Sequence, residues 1–457
     1  MAMRKKYLLP AIIFLGLVIA GAFNPGQVLT GNSAGGFNAS DTAWMLIASA
    51  LVLIMTPALG FFYGGMANRK NIISTVFQSV ICLGFMSVIW VAFGFSLCFG
   101  DDLGGLGIIG NPMTFFMFKN VTLHAATEKM ELFGVAPSMA GLPLIIFAMF
   151  QLKFAIITPA LITGSFAQRV KFSGYLIFIF LFFVVIYAPI CHMTWHPKGL
   201  LFNYGILDFA GGTVVHMSAG FAALAGALFM GPRTESERTH EFANVPYVII
   251  GTGLLWFGWF GFNAGSALGV NAKAVNAFAT TNTAAAAAMV AWVLMDAMRG
   301  HKISSIGACI GAVVGLVAIT PACGFVNVGE SIAIGAIAAV CSNMAVHFKN
   351  KSTLDDTLDV FPCHGVGGMV GMIMTGIFAA DYGTGITDWG LAYGQYKTFT
   401  HHMIGLVGIA AFTFIGSYAL YYIANMIEPM RVTKEEEELG LDITQHGESY
   451  QTLRIDL

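Results

Sequence analysis

Long apolar stretches separated by short polar ones run through the chain from about residue 42 to residue 427. Each is close to the roughly 20 residues that a helix needs to cross the hydrocarbon core of a bilayer. They fall at about 42–65, 72–98, 141–165, 173–194, 209–230, 246–268, 276–298, 304–323, 331–347, 360–380 and 401–427, which makes eleven. The pattern predicts an all-α polytopic membrane protein with eleven transmembrane helices. A shorter apolar run from Tyr7 to Ala20 follows Arg4, Lys5 and Lys6 and leads into Ala20-Gly21-Ala22. A basic start, a short apolar middle and small residues at the end predict a cleaved signal peptide over 1–22, with a retained short span as the alternative. The membrane domain then occupies 23–430 and a tail 431–457.

Composition agrees with the pattern. Hydrophobic residues make up 57% of the 457, and Asp, Glu, Lys and Arg together only 10%, well under the roughly 25% of soluble domains. A soluble surface cannot be built from so few charges without large apolar patches. The formal charge of -2 leaves no basic domain for nucleic acid. The seven cysteines are scattered through apolar runs with no CxxC pair, so they read as small packing residues. The few charges do set an orientation. Loops after the odd-numbered spans 1 to 9 hold ten Lys and Arg, including Arg69, Lys70, Arg169, Lys171, Arg233, Arg238, Lys349 and Lys351. Loops after the even-numbered spans 2 to 10 hold five, Lys119, Lys129, Lys198, Lys273 and Lys397, over longer sequence. Basic loops stay cytoplasmic, which predicts a mature N-terminus outside and the C-terminus inside the cell membrane.

Three phrases recur five spans apart. Spans 3 and 8 share Thr158-Pro159-Ala160 and Thr320-Pro321-Ala322. Spans 5 and 10 follow an aspartate with a histidine among small residues, Asp208 to His216-Met217-Ser218-Ala219-Gly220 and Asp359 to His364-Gly365-Val366-Gly367-Gly368. Spans 1 and 6 carry Phe61-Phe62-Tyr63-Gly64-Gly65 and Phe260-Gly261-Phe262-Asn263-Ala264-Gly265. An odd offset turns the second copy upside down, so the spans form a five-plus-five inverted repeat with a final eleventh helix. That symmetry predicts that His216 and His364 meet near the midplane.

Imidazoles inside a membrane are costly and point to function, and two in contact can line a path for a small polar molecule or pass a proton. Asp208 and Asp359 stand ahead of their helices as expected N-caps, and Asp208 also places a negative charge near one mouth. Trp195, Phe154 and Phe262, with Ser266 one turn beyond Phe262, fall toward that same mouth. They form either an interfacial and core set or an aromatic cage for a cation with one hydroxyl.

The stretches Asp208 to His216, Trp259 to Ser266 and Asp359 to Gly365 resemble those of the ammonium transporter/Rhesus family, on its Amt side. The resemblance runs from about Thr42 to the tail segments Gly440-Leu441-Asp442 and His446-Gly447-Glu448. It implies a homotrimer with one pore per subunit, no cofactor, and ammonium or methylammonium as substrate. Residue by residue, Trp195, Phe154 and Ser266 match the family's outer recruitment site. Phe150 or Phe154 with Phe262 match the stacked pore gate, His216 and His364 the twin histidines, and Asp208 the acid beneath the vestibule. Ammonium differs from potassium in donating hydrogen bonds and in giving up a proton, after which ammonia crosses an apolar constriction at far lower desolvation cost.

Lys153 departs from that picture, since a cation beside Phe154 would repel the substrate if it faced the pore; a helix turns it about 100° away. Two other functions stay open on the residues: a membrane cytochrome with haem between two histidines, and a sensor that binds ammonium with little flux. The tail carries Glu435 to Glu438 and no catalytic motif. It reads as a solvated end, or, from the resemblance, as a docking segment for a PII-type signalling protein.

Overall fold

A computed structural model describes residues 8–23, 37–119, 121, 141–234 and 242–450. The basic start Arg4 to Lys6, and the loop cations Lys129 and Arg238, lie outside the described residues. Among those described, the regular elements are helices, with two isolated bridges, Asp102 to Gly110 and Val170 to Arg431.

Ten helices are long and apolar enough to cross a membrane. They are Ala39–Met66 (span 1), Arg69–Phe99 (span 2), Leu144–Phe166 (span 3), Phe172–Trp195 (span 4), Gly212–Met230 (span 5), Val245–Gly265 (span 6), Ala272–Met298 (span 7), Val328–Asn350 (span 9), Phe361–Phe378 (span 10) and Lys397–Ile427 (span 11). Ser305–Ile319 takes the place of span 8 with 15 residues. It ends where Thr320-Pro321 begins, because proline lacks the N–H that the next helical turn requires. In span 3 the matching Thr158-Pro159 lies inside the helix, which runs on to Ile162. Both threonine hydroxyls donate to the carbonyl four residues back, Phe154 and Leu316, each at 2.7 Å.

The helices start where the side chains can cap them. Asn38 accepts from Asp41 N ahead of span 1, and Asn244 from Tyr247 N ahead of span 6, the equivalent position in the second repeat. Packing follows the same symmetry. Span 1 lies along span 6, and spans 2 and 3 touch span 1 as spans 7 and 8 touch span 6. Spans 5 and 10 cross each other, and span 11 packs on spans 5, 10 and 4. The helix Leu8–Ala22 has no buried residue.

The tail departs from the solvated reading. Glu437 is buried, accepting from Thr234 N at 2.7 Å and from the Arg431 guanidinium at 2.9 Å. Asp442 accepts from Ile73 N and Ser74 N at 3.1 and 2.8 Å, so it caps the start of span 2. His446 meets the stacked Phe77 and Phe172 rings edge-on, with ring centroids at 5.3 and 5.1 Å. The tail segment through His446 is therefore docked on the starts of spans 2 and 4.

Candidate functional site: an aromatic mouth and a buried histidine pair

Span 5 begins on a built turn. Gly211 has φ +110, a conformation that favours glycine. One oxygen of Asp208 accepts from Gly211 N and Gly212 N at 2.8 and 2.7 Å, and the other from Thr213 N at 2.7 Å and the Thr213 hydroxyl. The expected cap at Asp208 is therefore present, and its carboxylate is already surrounded by four donors.

The cap of span 10 is not Asp359. Asp356 accepts from Val360 N at 3.1 Å and Phe361 N at 2.7 Å, four and five residues ahead, as Asp208 does for Gly212 and Thr213. Asp208 and Asp356 each stand eight residues before a histidine, His216 and His364, and this equal spacing is the signal that sequence reasoning passed over. Asp359 instead sits at φ +57 and pairs with Lys349.

Both caps aim their helices inward. His216 Nδ1 and His364 Nδ1 lie 3.3 Å apart, with rings 5.4 Å between centroids and 19° from parallel. A bond between two like nitrogens needs one protonated and one bare, so the pair holds opposite tautomers at these atoms. His216 Nε2 has no hydrogen-bond partner, and its ring stacks on Trp259 at 5.3 Å. Trp259 was not expected from sequence; its indole N–H donates to Thr320 Oγ1 at 2.9 Å, which ties the histidine's platform to the repeated Thr-Pro phrase.

A line of aromatic rings leads to this pair. Of the two phenylalanines weighed against Phe262 from sequence, Phe154 is the one that stacks on it, at 4.2 Å and 27°. Phe150 meets Phe154 edge-on at 5.0 Å, one turn away, and Trp195 meets its other side edge-on at 5.8 Å. Phe262 then lies 6.0 Å from His216. Trp195 donates its indole N–H to Asp208 O at 3.0 Å, so the aromatic mouth and the cap of span 5 share an atom pair. Ser266, half-buried, donates to Phe262 O at 2.8 Å, and its oxygen keeps lone pairs that can accept from a ligand. Lys153, next in the chain to Phe154, is buried and makes none of these hydrogen bonds.

The imidazole nitrogens face each other at hydrogen-bond distance, 3.3 Å, closer than the roughly 4 Å that two metal–imidazole bonds of about 2 Å to one metal would set. No group of three or more metal-binding side chains occurs among the described residues.

The model of the Ammonium Transporter Family matches residues 43–451. The chain belongs to the ammonium transporter family. Its members are membrane transporters and not enzymes, in keeping with the multi-pass helical fold. Among relatives of this family chain, the putative ammonium transporter of Methanothermobacter thermautotrophicus is 44% identical over 415 residues, covering 90% of this chain and 98% of that one. The ammonium transporter of Aquifex aeolicus is 44% identical over 410 residues, 89% and 92% of the two chains. The crystal structure of Saccharomyces cerevisiae Mep2 superposes with a TM-score of 0.83 at 34% identity, covering 94% of this chain and 96% of that one. A structure described as a sensor Amt protein gives 0.78 at 27% identity, with 89% and 98% covered.

Proposed function

We propose that this chain takes ammonium from outside the cell, releases its proton at the aromatic mouth to the outer water, where the proton either stays or follows by a separate route, and passes ammonia between His216 and His364 to the cytoplasm. One observation carries the reading: a continuous line of ring contacts from the half-buried Trp195 through the buried Phe154 and Phe262 to the two imidazoles. The Trp195 and Phe154 rings hold a cation by their faces, and Ser266 accepts one of its N–H bonds. Asp208 contributes a fixed negative charge below the mouth, while its four donors hold it as a carboxylate cap. Next to the stacked phenylalanines come Trp259 and the two imidazoles, none with a fixed charge, so an ion would lose its hydration there without replacement, whereas neutral ammonia loses little. The imidazole pair then supplies one donor and one acceptor to a molecule that is both.

The experiment is methylammonium uptake by the His216→Leu, His364→Leu double variant in a transport-deficient host. Uptake should fall to background for equal protein at the membrane. Unchanged uptake sinks the twin-histidine role. A sensor with little flux is the second reading, favoured by the likeness to the sensor Amt structure. It predicts methylammonium binding by the wild-type protein with uptake at the level of the empty host.

Further elements of the reading rest on the family and the charge pattern. The docked tail lies inside and the Trp195 mouth outside, residues 1–22 act as a signal peptide, three copies assemble, and the tail meets a PII-type protein.

A further inference from the structure

Trp195 ends span 4, and the proposed recruitment of ammonium depends on where its ring stands. Its N–H bond to Asp208 O fixes one edge of the indole. The backbone beneath it is fixed from elsewhere. His192, three residues earlier and fully buried, has both ring nitrogens engaged: Nδ1 lies 3.0 Å from Cys98 O at the end of span 2, and Nε2 3.3 Å from Asp102 Oδ1. Asp102 is itself held by the turn that follows span 2, bridged to Gly110, with Asn111 N bonded to Asp101 O at 2.7 Å.

The second histidine continues the tie. His196 N donates to His192 O at 3.1 Å, closing the last turn of span 4, and the two rings stack at 4.3 Å and 13°. His196 Nδ1 then accepts from Lys198 N at 3.1 Å, and Leu200 N bonds to Gly107 O at 2.9 Å. Trp195 thus lies between two stacked imidazoles in sequence, on a helix end bound to span 2 by the first of them. Without His192, the backbone of that terminal turn would lose its side-chain tie to span 2, leaving the Trp195 indole bond to Asp208 O and the Leu200 N bond to Gly107 O at its flanks, and helix-end turns fray readily.

We infer that His192, braced by Asp102, is a positioning residue that sets the Trp195 ring for cation binding. The inference rests on the recruitment reading given above. A tie that served only to join spans 2 and 4 would change the amount of folded protein and leave substrate affinity alone. A positioning role changes affinity, because the attraction of a cation to a ring depends on its place over the ring face.

The test is the concentration dependence of radiolabelled methylammonium uptake by the full-length protein, normalised to protein at the membrane, for wild type, His192→Leu, His192→Gln, Asp102→Ala and Trp195→Leu. His192→Leu should raise the half-saturating concentration by about three- to tenfold, the size of a partly desolvated cation-π contact, with the maximal rate within about twofold of wild type. His192→Gln, which can still reach Asp102, should recover part of the shift. If His192→Leu does not accumulate, Asp102→Ala keeps the buried ring in place and should show a shift in the same direction. A shift in Trp195→Leu with none in the His192 and Asp102 variants overturns this inference and leaves the recruitment reading standing. No shift in Trp195→Leu overturns the recruitment reading, and this inference with it.

Discussion

Three aspartates, Asp355, Asp356 and Asp359, lie within the six residues ahead of span 10, and the fold gives each a different task. Burial works to raise the Asp355 carboxyl, but its bonds to Arg233 and the nearby Arg169 outweigh burial and bring it down to about 2. Burial dominates at Asp356 and, with Asp359 adding and Lys349 opposing, pushes it up to about 6. A carboxyl raised in this way binds its proton more tightly when folded. The stability it contributes is full below about 3.8 and is lost as pH rises through about 6. Asp356→Asn cannot titrate, so its melting temperature should gain on wild type as pH is raised from about 4 to 6 and then run parallel above about 7. Thermal unfolding in detergent across that range checks this, and a constant difference would refute it. Asp208→Ala removes an acceptor shared by four donors and should cost at least about 1–2 kcal/mol in stability, read as a lowered melting temperature. His216, His364 and Asp208 were legible because each lies in a long recognisable phrase. Asp356 was legible only through its eight-residue spacing from His364, which matches Asp208 and His216, and the carboxylates beside it masked that signal.

At the scale of elements, the crossing of spans 5 and 10 brings the two histidines together. A Cβ on Gly220 would lie 2.2 Å from Gly365 N, so the two helices touch backbone to backbone one turn beyond His216. Gly220→Val should therefore separate them and cost at least about 3 kcal/mol, seen as lost folded protein or a sharply lowered melting temperature. Gly253→Ala in span 6, where nothing lies within 4 Å, serves as the comparison and should melt at or slightly above wild type. The inverted repeat that sets up this crossing was readable from three recurring phrases. The shortness of span 8 was not, since Thr158-Pro159 and Thr320-Pro321 are alike in sequence. Pro159 sits within span 3, whereas Pro321 lies just past the end of span 8 and packs against Gly212 at the start of span 5.

For the whole molecule, the tail ties together parts that are far apart in the chain. Asp442 and His446 hold the start of span 2, while Glu437 holds Arg431 and the segment after span 5. Asp442→Ala leaves Ile73 N and Ser74 N without their acceptor. It should lower the melting temperature and expose the tail to limited proteolysis, with the helical bundle intact. Tail cleavage equal to wild type would contradict this docking. The assembly is a separate matter of mass: the purified protein should run as three chains by native mass spectrometry in mild detergent, and a monomer would refute the trimer.

The sequence by itself determined the number of spans, their inverted pairing and the identity of the two histidines. These follow from the thickness of hydrocarbon, the scarcity of charge and phrases that repeat along the chain, all of them local properties. Tertiary structure alone decided that Phe154 rather than Phe150 stacks on Phe262, that Asp356 caps span 10, and that Trp259 carries His216. It also decided that the tail is docked. Each of these is a contact between residues distant in sequence, as His216 and His364 are at 148 positions apart, and such contacts exist only once helices have crossed.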